Sequence, residues 1–419
     1  MKKLEVFGAT KLKGQVRISG SKNASLPILA ATLLSNKKIY LKNLPKVKDI
    51  ETMILLLKSL GSKVNFVKNK KIISIKNDLK IKTFASYNLV KTMRAGILVL
   101  GALLAKYGKA KVSLPGGCAI GTRPIDIHLK ALSDLGVKYK IVQGYVYATA
   151  PKGLKGSKIR FPKISVGATE NLIIAASLAK GETILSNCAI EPEIKDLVNF
   201  LNKMGCKIKW ISKRTVKIIG CKNLSQISYE VMPDRIEAGT YLIASALTEG
   251  DIKICGIDPK IIKTEIKILK KIGTNIKIKN NEIYVKGNKL VKNIKIKTSP
   301  YPGFPTDLQA QMMVLLCKAN KRSIIKEDIF ENRFMHVAEL NRMGASISIK
   351  GNTATIKGNI KFNSAELMAT DLRASVSLIL AAMAAKGKSK INRIYHLDRG
   401  YEQIEKKLKK LGAKIKRIS

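Results

Sequence analysis

Apolar and polar residues alternate along this chain with two periods that take turns. Stretches such as Ile276-Lys277-Ile278-Lys279 and Ile294-Lys295-Ile296-Lys297 change character at every residue. That period places apolar side chains on one face of a strand and lysines on the other. Between such strands lie runs that are apolar nearly all round: Leu26 to Leu34, Ala95 to Ala105, Leu172 to Ala179, Ala238 to Leu247, Leu308 to Cys317 and Ala374 to Ala385. A helix without a polar face must be buried on every side. A second kind of helix is amphipathic and closes on Leu-x-x-hydrophobic-Gly, at Leu57 to Gly61, Leu132 to Gly136, Leu201 to Gly205, Leu269 to Gly273, Leu340 to Gly344 and Leu408 to Gly412. The glycine suits a left-handed C-terminal cap.

These six glycines stand between 68 and 75 residues apart. Six units of about 70 residues therefore fill the chain. Each combines a buried helix, an amphipathic helix and short strands whose sheets have one wet face, so the sheets are expected to wrap the outside of the helices. Six such units divide into two globes of three near residue 225. The stretch Lys11 to Ile18 resembles the strand that precedes later units, as at Lys155 to Ile159. It comes before the first unit, and is expected to close a sheet in the second globe.

Composition changes the picture little. The 419 residues are 46% hydrophobic, enough for more than one core. No apolar run reaches the roughly 18 residues of a membrane-spanning helix, and the opening Met1-Lys2-Lys3-Leu4-Glu5 does not read as a signal peptide. A cytosolic protein is expected. Cys118, Cys188, Cys206, Cys221, Cys255 and Cys317 form no CxxC pair, and His128, His336 and His396 lie far apart, so neither a disulfide framework nor a zinc site is indicated. Net charge does matter, because +49 invites a nucleic-acid reading. Against it, only 13 of the 78 basic residues are arginine, and the lysines spread along the chain without interleaved aromatics. Solvated strand faces are the simpler account.

Several places could carry chemistry. The six buried helices begin at Lys22-Asn23, Lys91 with Arg94, Thr169-Glu170, Asp234-Arg235, Thr306-Asp307 and Asp371 with Arg373, and helix starts favour anions. Lys22 follows Ser19-Gly20-Ser21; taken alone, a surface lysine is the simpler reading. Arg94, Arg123, Arg333, Arg373 and Arg399 all sit at or just before helix starts, where a planar fork grips carboxylate or phosphate. Structural pairs, Asp371 with Arg373 or Asp398 with Arg399, explain them equally well. Cys118 lies in Pro115-Gly116-Gly117-Cys118, five residues before Arg123; a nearby cation lowers a thiol's pKa and makes it reactive. The other five cysteines read as small buried hydrophobes. Asp307 reads as a helix cap until a substrate is placed beside it. Asp49, Glu191 and Glu193 are open between rim carboxylates and hinge or capping groups.

Taken together, Ser19 to Ala24, Pro115 to Cys118, Gly121 to Pro124, Phe304 to Asp307, Glu331 to His336 and Asp398 to Glu402 resemble the UDP-N-acetylglucosamine enolpyruvyl transferases, in order over essentially the whole chain. The related shikimate-pathway enzymes share the sixfold architecture without the Pro-Gly-Gly-Cys loop. The resemblance implies a two-domain inside-out α/β barrel, with residues 22–229 as one domain and 1–21 joined to 230–419 as the other. It implies transfer of the enolpyruvyl group of phosphoenolpyruvate to the 3′-hydroxyl of UDP-N-acetylglucosamine, with phosphate released and no metal or cofactor required. Cys118 would protonate the methylene carbon and be able to form an adduct, and Asp307 would take the sugar's hydroxyl proton. Lys22, Arg123 and Arg399 would hold phosphoenolpyruvate, with Arg333 and Arg373 nearby. Asn23, Arg94, Arg123, Pro124, Ile125, Asp126, Ile127, Lys163, Ile164, Ser165, Val166 and Ile329 match the family's UDP-sugar contacts. The Pro-Gly-Gly-Cys loop would act as a lid.

Two departures stand out: Ala102 follows Gly101 where many relatives have proline, and the positive charge exceeds the family's habit. Two alternatives follow from the same residues, transfer to shikimate 3-phosphate, which needs no essential cysteine, and a lysine-rich nucleic-acid-binding protein. Oligomeric state is not legible.

Overall fold

The computed structural model describes residues 2–67, 72–116 and 125–418. The chain forms two compact units. One contains the residues up to Ser19 and those from Pro233 onward; the other lies between Gly20 and Met232.

In the Gly20–Met232 unit the core helices are Lys22–Ala31, Val99–Tyr107 and Val166–Ala176, which pack on one another. From Ala24 to Ala31 every residue is buried, and so is every residue from Ala168 to Ala176. In the other unit Arg235–Leu247, Gln309–Cys317 and Leu372–Ala384 do the same work, and all of Arg235–Leu247 is buried, its charged first turn included. Two of the six helices, Val99–Tyr107 and Gln309–Cys317, are entered through a tighter 3₁₀ turn, at Arg94–Leu98 and Thr306–Leu308.

The recurring Leu-x-x-hydrophobic-Gly phrase has a backbone cause. In all six copies the glycine has positive φ, from +90° at Gly344 to +110° at Gly61. The residue after it donates its N–H to the carbonyl of the leucine that opens the phrase: Ser62 to Leu57, Val137 to Leu132, Cys206 to Leu201, Thr274 to Leu269, Ala345 to Leu340 and Ala413 to Leu408, at 2.9–3.2 Å. The glycine's own N–H reaches the next carbonyl, as from Gly61 to Lys58 at 3.0 Å. This is the double bond of a Schellman cap, which satisfies carbonyls the helix leaves open and needs a residue tolerant of the left-handed region.

The described residues form six four-stranded sheets, each with a parallel pair at one edge and antiparallel pairs beyond it. In the sheet Ile227–Glu230, Ile39–Lys42, Ile72–Lys76, Lys63–Val67, the first pair is parallel and the rest antiparallel. Lys13–Arg17 takes the parallel edge position beside Asp251–Cys255, as its likeness to later strands implied. Lys3–Phe7 lies inside the last sheet, between Lys388–Asn392 and Ile415–Ile418.

Alternation holds over most strands and fails in one recurrent place. Ile276 is 4% exposed, yet Ile278, two residues on, is 50% exposed although its partner Ile283 is fully buried. Phe66, Ile141 and Ile349 repeat the pattern opposite the buried Ile73, Val146 and Ala354. All four are the last residue but one of the outermost strand of a sheet; neighbours flank such a strand on one side only. The lysines read as lacking interleaved aromatics, and in the fold one of them gains aromatic neighbours. Strand pairing gathers Phe84, Tyr145 and Tyr147 around Lys111, whose Nζ lies 5.0, 5.0 and 4.8 Å from the three ring centres. Residues distant in sequence become neighbours across a ladder, which a linear scan does not see. Among the described residues no helix is long and apolar enough to cross a membrane.

Candidate active site

The loop with Cys118, Arg123 and Pro124 lies outside the described residues. The remaining sequence-predicted residues fall into two groups, one in each unit.

In the Gly20–Met232 unit, Ser21 caps the helix Lys22–Ala31, its hydroxyl accepting from the Ala24 N–H at 3.2 Å. Lys22 is thereby fixed in the first turn with Asn23 beside it. Its side chain is only 12% exposed, and Nζ lies 3.3 Å from Oδ2 of Asp49, which is 6% exposed. The simple surface-lysine reading fails: a largely desolvated ammonium beside a buried carboxylate is a constructed feature. Asp49 belongs to the first turn of Lys48–Leu60, so it is a buried partner and not a rim group.

Arg94 opens the turn Arg94–Leu98. Ile125 and Ile127 are buried on either side of the exposed Asp126, which starts the helix Asp126–Asp134. Ser165 caps Val166–Ala176, accepting from the Ala168 N–H at 3.3 Å, with Lys163 exposed and Ile164 half-buried just before it. One unmarked pair ties these segments together. The Asn171 side-chain oxygen accepts from Gly101 N–H at 2.9 Å, and its amide nitrogen donates to the Ile97 carbonyl at 3.3 Å and lies 3.1 Å from Nδ1 of His128. With the amide thus oriented, His128 Nδ1 accepts and Nε2 carries the proton. Burial, and then the charge of Arg94, lower the His128 pKa to about 4, so the ring is neutral. A Cβ on Gly101 would sit 2.3 Å from the Asn171 oxygen, and one on Gly167 would stand 3.2 Å from the His128 ring. Both glycines are close-approach positions.

Glu191 and Glu193 are 8% and 3% exposed, and neither is a rim carboxylate. Glu170 joins them. Its burial, and then the charges of Glu193 and Glu191, push its pKa well up, which favours the protonated acid.

In the other unit the central group is Asp307. Its carboxylate bridges two guanidinium groups, Oδ1 to Arg333 Nη2 at 2.9 Å and Oδ2 to Arg373 Nη2 at 2.8 Å. Both arginine side chains are 4% exposed and Asp307 is 25% exposed. Asp307 lies in the first turn of Thr306–Leu308, where a negative charge suits a helix start, and its carboxylate also joins the two arginines. The pairing of Asp371 with Arg373 also takes another form. Asp371 caps the backbone, accepting from the Arg373 and Ala374 N–H groups at 2.8 and 3.0 Å, and leaves the guanidinium to Asp307. Burial works against the charge of Arg373, but Asp307, by charge and hydrogen bond, together with the charges of Tyr401 and Asp234 holds the pKa up. Two donors of Arg373, Nε and Nη1, are buried without a hydrogen-bond partner among the described residues. Buried donors of this kind are costly unless something accepts from them. The guanidinium lies 5.3 Å from the ring centre of Tyr401, whose hydroxyl meets Thr240 Oγ1 at 2.8 Å and Gln311 Nε2 at 3.2 Å.

Glu327 is the second residue sequence reasoning missed. It is 2% exposed, and it accepts from Thr306 Oγ1 at 2.8 Å, Thr298 Oγ1 at 2.9 Å and the Ile329 N–H at 2.9 Å. It thereby fixes the turn that presents Asp307 and the loop of Ile329 together. The only signal available was an acid at the end of the alternating strand Ser323–Lys326. Arg399 ends the turn Ile394–Arg399 and is partly exposed. Its neighbour Asp398 is held by both nitrogens of Arg417, at 2.9 and 2.7 Å, so the expected Asp398–Arg399 pair is replaced.

The described cysteines are free thiols. Cys188, Cys206 and Cys317 are buried as expected, whereas Cys221 and Cys255 are half-buried at strand ends.

Residues 6–408 match the family model described as EPSP synthase (3-phosphoshikimate 1-carboxyvinyltransferase). The chain is 80% identical to a UDP-N-acetylglucosamine 1-carboxyvinyltransferase of Pelagibacter ubique, over 100% of both chains. It is 52% identical to the protein of that name from Trichlorobacter lovleyi, again over 100% of both. The solved enolpyruvyl transferase NikO from Streptomyces tendae superposes with a TM-score of 0.90 at 23% identity, covering 99% of this chain and 98% of that one. An EPSP synthase from Acinetobacter baumannii superposes with a TM-score of 0.76 at 17% identity over 100% of both chains. These two structural likenesses speak to the fold.

Proposed function

The chain belongs to the EPSP synthase family, among its UDP-N-acetylglucosamine 1-carboxyvinyltransferases, and from that premise we infer which of its residues do the work. The reaction moves the enolpyruvyl group of phosphoenolpyruvate onto the 3′-hydroxyl of UDP-N-acetylglucosamine and releases phosphate, a step in peptidoglycan synthesis. In our reading the sugar oxygen bonds to the central carbon of phosphoenolpyruvate as the Cys118 thiol gives its proton to the methylene carbon. Asp307 takes the hydroxyl proton. The methyl group then returns a proton as phosphate departs, and the enol ether remains on the sugar.

The observation that carries this reading is the Asp307 cluster. A carboxylate held between two buried arginines is fixed in place, and Arg373 keeps two buried donors for a further acceptor. Phosphoenolpyruvate brings a carboxylate and a phosphate, and preorganised positive charge of this kind stabilises charge that shifts during addition and elimination. An arriving anion that draws donors from Asp307 also releases an oxygen of Asp307 to act as base. Lys22, Arg123 and Arg399 complete the anion's hold, with Lys22 kept in place by Asp49. Asn23, Arg94, Arg123 to Ile127, Lys163 to Val166 and Ile329 are assigned to the sugar nucleotide. The neutral His128 and Asn171 position that set without touching the reactants. The site works in the cytoplasm, where both substrates are made.

Release of phosphate, coupled to a colour reaction and run with each candidate acceptor, tests this. Turnover with UDP-N-acetylglucosamine and none with shikimate 3-phosphate is expected; the reverse overturns it.

A further inference from the structure

We propose that Cys206 and Cys221 form a reversible disulfide, making this pair a modification site separate from the proposed active-site cysteine. The two sulfurs are 3.3 Å apart. Strand pairing brings them there: Lys207 is the register partner of Ile219 in the antiparallel pair Lys207–Ser212 and Thr215–Ile219, so one cysteine precedes the first strand and the other follows the second. Their backbones are anchored separately. Cys206 donates its N–H to Leu201, completing the Schellman cap of Pro192–Lys203, while Cys221 donates its N–H to Ser177 at 2.9 Å. The sulfurs thus meet with little freedom to separate, which favours closing a bond between them.

The two thiols are unequal. Cys206 is 6% exposed and Cys221 is half-buried, so an oxidant reaches Cys221 first. Their mutual contact raises the Cys206 pKa and lowers that of Cys221. The accessible sulfur is therefore the one favoured as thiolate, the form that reacts. With hydrogen peroxide as oxidant, the Cys221 thiolate attacks one oxygen and the O–O bond breaks, giving a sulfenic acid and hydroxide, which takes up the proton that Cys221 gave up on ionising and leaves as water. Cys206 then attacks that sulfur, the S–O bond breaks, and hydroxide leaves with the Cys206 proton as a second water. Two electrons pass from the sulfurs to the peroxide. A thiol reductant reverses the change.

The bond would join the two ends of one hairpin behind the helix Val166–Ala176, whose last turn lies next to Ser177. It would restrain the hairpin without reaching the reactants.

The test uses the full chain, reduced and then exposed to hydrogen peroxide, blocked at free thiols and cut with trypsin. Cleavage after Lys203, Lys207, Lys217 and Lys222 places the two cysteines in separate peptides, Met204 to Lys207 and Ile218 to Lys222. The expected product is these two joined, lighter than their sum by two hydrogens, and released by dithiothreitol. The oxidised protein should also melt several degrees higher, a shift abolished in Cys221→Ser. Recovery of both peptides with blocked thiols, under conditions that oxidise Cys118, overturns the proposal, as does a link from either cysteine to a different one. If Cys221→Ser does not fold, the peptide map of the unaltered chain decides alone.

Discussion

Asp307 and Arg373 lie 66 positions apart in the chain and meet at 2.8 Å, each placed at the start of a core helix. The contact is an ion pair with a remainder: the carboxylate is shared with Arg333, and two donors of the guanidinium have no hydrogen-bond partner among the described residues. The carboxylate that we propose as base is thus held between two guanidinium groups. In the proposed mechanism, an arriving substrate anion rebalances the cluster.

Asp307→Asn keeps the size and one carbonyl acceptor but removes the charge. Turnover should fall roughly 10²–10⁴-fold, with the affinity for UDP-N-acetylglucosamine little changed. Stability should fall as well, because both arginines are left with an incomplete partner; breaking a buried pair costs about 3–5 kcal/mol, here an upper bound. Steady-state kinetics well below the variant's melting temperature separate the effects. Near-normal turnover would refute the role as base.

Arg373→Lys retains a cation and loses the planar fork and its seat on Tyr401. One charge-assisted hydrogen bond is worth about 1.5–3 kcal/mol, so KM for phosphoenolpyruvate should rise on the order of 10–100-fold. KM for the sugar nucleotide should move much less. Equal changes in both would point to general damage.

His128 predicts a pH dependence of stability. Its pKa falls from 6.5 to about 4 on folding, so between those values the unfolded chain takes up a proton that the folded one refuses. The contribution is full above pH 6.5 and is lost as pH drops toward 4, by at most about 3 kcal/mol at 1.36 kcal/mol per unit. His128→Gln keeps an acceptor for Asn171 without a titrating ring. Denaturant melts across this window should show a smaller loss for the variant, and parallel curves would contradict the assignment.

Cys118 should be the thiol alkylated by a small phosphonate epoxide, with loss of activity. Cys118→Asp retains an acid and removes the nucleophile, so labelling should vanish even where turnover persists. A label found on Cys221 or Cys255 by peptide mapping would transfer the reactivity to a half-buried cysteine.

The positive charge should produce only weak retention on a polyanion column, gone at physiological salt, as counterion release requires. Sequence-selective DNA binding at that salt would argue for the alternative reading.

The repeat was legible because its signals are local. A Schellman cap needs glycine at one position and a helix of the right period before it, and both stand in a short window, as at Leu57 to Ser62. The buried helices were equally plain from their lack of a polar face. What the chain concealed depends on pairing at a distance. Lys22 looked like one lysine among many because Asp49 belongs to the next helix, and Glu327 looked like the end of a strand because its partners Thr298 and Thr306 precede it by 29 and 21 residues. Cys206 and Cys221 looked like unrelated thiols until a hairpin set them opposite each other. The exposed Ile278 was misread for a related reason, since alternation marks a face and does not say where cover ends.

The placement of Lys3–Phe7 bears on how the molecule is made. Leu4 is the register partner of Ile391, and Lys3 of Ile418, whereas the Gly20–Met232 unit draws its whole sheet set from its own span. A ribosome delivers that unit complete while the opening strand still waits for both of its neighbours. Made before that unit, the strand is among the last to settle, with two bare edges until Lys388–Asn392 and Ile415–Ile418 arrive. Lys3 and Glu5, alternating with Leu4 and Val6, set charges along it during that interval and so discourage pairing with a stranger.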